Sequence, residues 1–141
     1  GISIDSEGDL WHEGERLEHQ GLRDAVFRWL DRQLPEGRYI LRLDEKRFAN
    51  IDVTDTPLVA RAVRWESDSA LLALSDGTQE SLDPTTLTID DNGIMRCWVR
   101  GARLQARLAT SAASVLAERL TEENGVFTLR TGGRSVGLQK A

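Results

Sequence analysis

The sequence has one cysteine, Cys97, so it can form no intrachain disulfide and no multi-cysteine metal site. Only two histidines occur, His12 and His19, and neither falls at a recognised metal-ligand spacing, so no metal is expected. No apolar run approaches the roughly 18 residues of a helical membrane span, and no membrane association is expected. No serine sits in a Gly-x-Ser-x-Gly elbow, and Cys97 lies in an apolar stretch, Met95 to Val99, where thiols are usually inert. Nucleophilic catalysis therefore has no visible agent. Basic residues are outnumbered, 18 against 23, and the resulting net charge of −5 argues against general nucleic-acid binding, which needs phosphate neutralisation. A chain of 141 residues leaves no room for a separate cofactor domain, and no cofactor is expected.

What is present is a globular composition, 40% hydrophobic and 29% charged. The lone cysteine favours a cytoplasmic setting. Gly1 in place of an initiator methionine supports no conclusion about targeting. The average charge hides an asymmetry: residues 1–95 hold 10 basic and 20 acidic side chains, net −10, and residues 96–141 hold 8 and 3, net +5. Either the two parts face each other, or the basic part receives an anionic ligand or partner.

Ile2 to Trp11 reads as a β-hairpin around Glu7-Gly8. Between His19 and Leu34 the spacing becomes helical, with Leu22, Val26, Trp29, Leu30 and Leu34 on one face, ended by Pro35 and Gly37. Arg38 to Leu43 and Phe48 to Val53 follow as strands. Leu58 to Glu66, Ala70 to Ser75 and Thr78 to Leu82 form a meander, with Asp76-Gly77 as a hairpin turn. Leu87 to Asp90 and Ile94 to Val99 make another hairpin. The segment from Trp98 to Leu120 then reads as a strand end opening into one long helix, because Leu104, Leu108, Ala112, Val115, Leu116 and Leu120 recur at helical spacing. Asn124-Gly125 is its expected stop, and Val126 to Arg130 and Ser135 to Leu138 close the chain as strands.

The two ends mirror each other. Ile4-Asp5-Ser6-Glu7-Gly8 answers Ile89-Asp90-Asp91-Asn92-Gly93, Gly14-Glu15-Arg16-Leu17 answers Gly101-Ala102-Arg103-Leu104, and Gly37 to Arg42 answers Gly125 to Arg130. The expected fold is α+β, with two similar units of β-hairpin, helix and strand pair joined by a central antiparallel β-meander. The boundaries are 1–57, 58–85 and 86–141.

A set of motifs spread over nearly the whole chain adds a family likeness. Ile4-Asp5-x-x-Gly8, Trp11-His12-x-Gly14, Glu45-Lys46, Val53-x-Asp55-x-Pro57, Val99-Arg100-x-x-x-Leu104-x-Ala106-Arg107 and Gly133-x-x-x-x-Leu138 together resemble the bacterial family domain of unknown function 1285. That resemblance implies an α+β protein with repeated units, no established activity and a role in signal transduction. It supplies no catalytic residues.

Arg100, Arg103 and Arg107 are the sharpest chemical signal. On a helix, spacings of three and four place them on one side, and guanidinium groups suit bidentate contacts to carboxylate or phosphate. Cations at a helix start oppose its dipole, so acids are expected nearby. Two readings compete. In one, Glu13, Glu45 and Asp55 are internal partners of the arginines. In the other, Arg100, Arg103 and Arg107, assisted by Lys46, receive a phosphorylated or carboxylated small molecule or an acidic protein, in a non-enzymatic binding or regulatory module. An enzyme acting on an anionic metabolite, with Asp55 or Glu45 as general base, is the alternative, and a structural homodimer is a third. No catalytic residue is assigned.

Overall fold

A computed structural model describes all residues, 1–141. The strands are β1 (Ile2–Ile4), β2 (Leu10–His12), β3 (Glu15–Arg16), β4 (Leu30–Gln33), β5 (Arg38–Arg42), β6 (Phe48–Val53), β7 (Leu58–Glu66), β8 (Ser69–Leu74), β9 (Gln79–Ser81), β10 (Thr88–Ile89), β11 (Met95–Val99), β12 (Leu104–Leu108), β13 (Leu120–Glu123), β14 (Val126–Thr131), β15 (Arg134–Gly137) and β16 (Gln139–Lys140). Two helices, α1 (Gln20–Trp29) and α2 (Thr110–Ala117), interrupt them, together with a 3-10 turn at Pro84–Thr86. The class is α+β. No helix is long and apolar enough to cross a membrane.

The first half forms a six-stranded sheet in the order β3-β2-β1-β6-β5-β4. β6 serves two neighbours: its first residues pair with β5, and Ile51 to Val53 run parallel to β1. The second half divides its strands. β10, β11, β12 and β16 share a seven-stranded sheet with the meander β7-β8-β9, and β13, β14 and β15 form a sheet of their own. Here β15 pairs with β14, and after Leu138 the chain continues as β16 parallel to β10. The hairpin turns have matching hydrogen bonds. Asp5 Oδ1 accepts the N–H groups of Glu7 and Asp9, and Asp90 Oδ1 accepts those of Asn92 and Ile94, an Asx arrangement that fixes both loops.

One cluster of 25 buried residues runs from Ile4 to Leu138 and includes both halves and the meander. Burying a leucine fully contributes roughly 1.5–3 kcal/mol. Leu58, Leu72, Leu104, Leu116 and Leu129 are all essentially inaccessible, so the meander stitches the halves through apolar contact. Gly8 marks where they meet: its φ is +86°, and a Cβ there would lie 3.1 Å from a Val59 methyl, so only glycine fits without displacing β7.

The expected long helix is corrected. Leu104, Ala106 and Leu108 are buried and Gln105 and Arg107 are less so, the two-residue alternation of a strand. Apolar residues at 104, 108 and 112 satisfy a helical spacing as well. The strand wins because β11 on one side and β7 on the other complete its ladders, and only Thr110–Ala117 coils. Asn124-Gly125 consequently turns β13 into β14 instead of ending a helix, with φ of +55° and +81°. The first helix likewise stops at Trp29, and Leu30–Gln33 becomes a strand paired with β5.

Candidate functional site

Because Arg100 to Leu108 is a turn followed by a strand, the three arginines do not share a helix face. Arg100 sits in the β11–β12 turn with φ +52°, followed by Gly101 at +65°, as Glu13-Gly14 sits in the β2–β3 turn at +51° and +79°. The Arg100 guanidinium is paired with Asp76, whose side chain is 1% exposed, and its backbone N–H donates to the Glu80 carboxylate. Burial, and secondarily the charge of Arg103, pull the Arg100 guanidinium below its usual value. Arg103 pairs with Asp31 of β4. Asp31 also accepts from Arg42 at 3.0 Å, and the neighbouring Arg32 lies 4.7 Å from the Trp98 ring while donating to the Ala102 carbonyl. Arg100 and Arg103 therefore anchor the β11–β12 turn to the meander and to the first half. Both have internal carboxylates.

Of the acids expected to meet the arginines, Asp55 lies 3.8 Å from Arg107, whereas Glu13 and Glu45 form no ion pair with Arg100, Arg103 or Arg107. Glu13 binds the N-terminal amine of Gly1, and that hydrogen bond, followed by the amine's charge and that of His12, holds its carboxyl below the usual range. Asp55 grips Arg96 with both oxygens at 3.0 Å, and Arg96 reaches Asp90 at 2.8 Å. Its hydrogen bonds to the carboxylates of Asp55 and then Asp90 hold the Arg96 guanidinium well above its ordinary value. Glu45 and Lys46 occupy the exposed β5–β6 turn, where Asp44 accepts the N–H groups of Lys46 and Arg47. Asp55 thus has both oxygens engaged by Arg96, and Glu45 lines an open surface recess with Asp44, Lys46 and Arg47.

Arg107 is different. On β12 its N–H donates to the buried Thr56 hydroxyl at 3.0 Å, and its guanidinium, 25% exposed, bonds the Ser6 carbonyl at 3.3 Å and lies 3.8 Å from Asp55. It opens onto a polar cavity of about 260 Å³ together with Arg16 from β3 and Arg61 from β7. Asp9 stands between those two, 3.1 Å from Arg16 and 3.6 Å from Arg61, and the Glu7 carbonyl accepts from Arg61 at 3.4 Å. A guanidinium has five N–H donors, more than these contacts use on any of the three. Ala109 and Thr110 complete the wall at the start of α2, which has neither a side-chain cap nor an acid in its first turn. Its exposed N–H groups add positive potential to the guanidinium charge.

Arg16 and Arg61 were not among the sequence candidates. A signal did exist for Arg16, which stands opposite Arg103 in the mirrored Gly-x-Arg-Leu motif. Arg61 carries none, since its neighbourhood to Arg16 arises only when β7 crosses the first hairpin. The two histidines have structural surroundings: His19 caps α1 by accepting the Leu22 N–H, and His12 lies 3.8 Å from Glu13. Cys97 is fully buried, and desolvation, then the Glu80 charge, pushes its thiol up to about 12.

Fold and cavity together define an α+β protein with a polar recess in which three arginines stand around Asp9. Neither a family model nor a curated protein matches the chain. Among solved structures, it is similar to a DUF1285 family protein from Silicibacter pomeroyi DSS-3, at 20% identity and a TM-score of 0.79 over 98% of this chain and 79% of that one. It is also similar to a DUF1285 family protein from Shewanella baltica OS155, at 18% identity and a TM-score of 0.68 over 83% of this chain and 90% of that one. The resemblance read from the scattered motifs is thus a resemblance of the whole fold.

Proposed function

We propose that this chain is a non-enzymatic binding module that recognises a carboxylate or phosphate group through Arg16, Arg61 and Arg107, in a bacterial regulatory or signalling role. The observation that carries the reading is the convergence of three guanidinium groups from three different strands on one open cavity beside the uncapped start of α2. Arg100 and Arg103 support the site indirectly, by fixing the turn that precedes β12. Two-unit architecture belongs to the same proposal: both halves run strand, strand, strand, helix and then strands, and β1–β2–β6 and β10–β11–β16 share their pairing directions.

Calorimetric titration of the intact chain with inorganic phosphate, pyrophosphate and citrate tests the reading. At least one anion should bind, and Arg61→Glu should weaken it tenfold or more, since reversing one charge in a recess costs more than a screened surface contact. The side chain of Arg61 is 45% exposed, so thermal stability should change little. Binding that survives Arg61→Glu unchanged, or no binding by any of the three anions, contradicts the proposal.

A further inference from the structure

β3 is the outermost strand of the six-stranded sheet. Its ladder pairs Trp11 with Arg16 and His12 with Glu15, and the Leu17 N–H donates to the Leu10 carbonyl at 2.8 Å. Hydrogen-bonded pairs recur at alternate positions of an antiparallel ladder. The Leu10–Leu17 bond therefore places His12–Glu15 in the bonded class and leaves Trp11–Arg16 unbonded. It follows that the N–H and C=O of Arg16 point away from β2, and no other segment bonds to them. Two charged residues make a short edge that resists indiscriminate pairing, and it offers one N–H and C=O pair, that of Arg16, to an added strand.

The corresponding edge in the second half is closed. β12 follows β11 across a left-handed turn as β3 follows β2, and its outer side carries β7 in parallel, with Arg107 opposite Val59. The open edge and the basic cavity meet at one residue, because the Arg16 side chain lines the cavity that Arg61 and Arg107 share. Glu15 and Glu18, both exposed, lie one and two residues to either side of Arg16.

Resting on the anion-recognition reading above, we propose that the β3 edge receives an extended segment of a partner protein running parallel to β3, with one acidic side chain seated among Arg16, Arg61 and Arg107. Main-chain pairing supplies affinity and the arginines fix register. Glu15 and Glu18 repel further acids, so the segment carries its acid singly among uncharged residues. Two copies of this chain related by a twofold axis would pair antiparallel along the edge, which distinguishes self-association from the proposed mode.

The test uses the intact chain and a fluorescein-labelled octapeptide of threonine and valine with one central glutamate, followed by fluorescence anisotropy. The peptide should bind. Glutamine in place of its glutamate should weaken binding at least tenfold, as should N-methylation of the alternate amides that would face β3. Arg61→Glu should weaken it as well, with an unchanged thermal midpoint. An N-methylated or glutamine peptide that binds as tightly as the parent overturns the proposal. Inorganic phosphate bound without peptide binding overturns the strand segment and leaves the anion site standing; neither bound overturns both.

Discussion

Replacing Arg100 with methionine separates a structural arginine from a ligand-binding one. Asp76 is enclosed, its side chain 1% exposed, and Arg100 is its charged partner, itself 29% exposed. Asp76 Oδ1 already accepts the Thr78 N–H and hydroxyl, so one oxygen stays satisfied and the other loses its cation. Breaking a fully buried pair from one side costs about 3–5 kcal/mol. The remaining exposure of Arg100 lowers the expectation to about 2–3 kcal/mol. That is a large part of the roughly 5–15 kcal/mol stability of a typical domain. For a chain of this size it corresponds to a thermal midpoint lower by roughly 5–10 °C. Methionine keeps the length of the aliphatic stem and the same left-handed backbone penalty at φ +52°, so the loss is that of the guanidinium head with its pair to Asp76 and its contact to the Phe27 carbonyl. Urea unfolding followed by circular dichroism measures the cost, and Asp76→Asn combined with Arg100→Met should recover part of it, because the orphaned charge is gone. A single-variant cost below about 0.5 kcal/mol would place Arg100 among solvent-screened surface charges and refute the structural assignment.

Two further outcomes follow from ionisation. Burial tends to raise the Asp31 carboxyl, but the Arg32 N–H, Arg42 and Arg103 outweigh it and hold it below its usual 3.8. A depressed folded-state value means that its contribution is present above about pH 4 and lost as pH falls through that depressed value. Asp31→Asn should therefore cost stability at pH 7 and much less at pH 2.5 in a urea series, and an equal cost at both would contradict the ion-pair account. Cys97, buried with its thiol at about 12, should react with iodoacetamide at pH 8 only through unfolding, so labelling should accelerate with urea in step with the folding transition. Rapid labelling of the native chain would contradict its placement in the core.

Most strands were legible because their signals are local. Leu58–Glu66 is a mostly apolar run bounded by Pro57 and Ser67, and Asn92-Gly93 announces its hairpin without tertiary help. The segment from Arg100 to Leu120 was misread because its leucines fit periods of two and four together, and the deciding influence was the presence of β11 and β7 on either side. The grouping of the arginines changes with it. A shared helix face would group Arg100, Arg103 and Arg107, whereas the fold pairs them with three different acids, Asp76, Asp31 and Asp55, and of the three places Arg107 in the cavity wall. Its companions Arg16 and Arg61 are separated by 45 residues in sequence, and no local pattern joins them.

The most direct measurement is a two-dimensional amide spectrum of the ¹⁵N-labelled chain titrated with inorganic phosphate. The backbone amides of Ser6, Glu7, Asp9, Ala109 and Thr110 should shift together and saturate, with the Arg100–Arg103 turn unmoved. Saturable shifts centred on Arg100–Arg103, or none along the Arg16–Arg61–Arg107 cavity, would contradict the assignment of that cavity as the binding site.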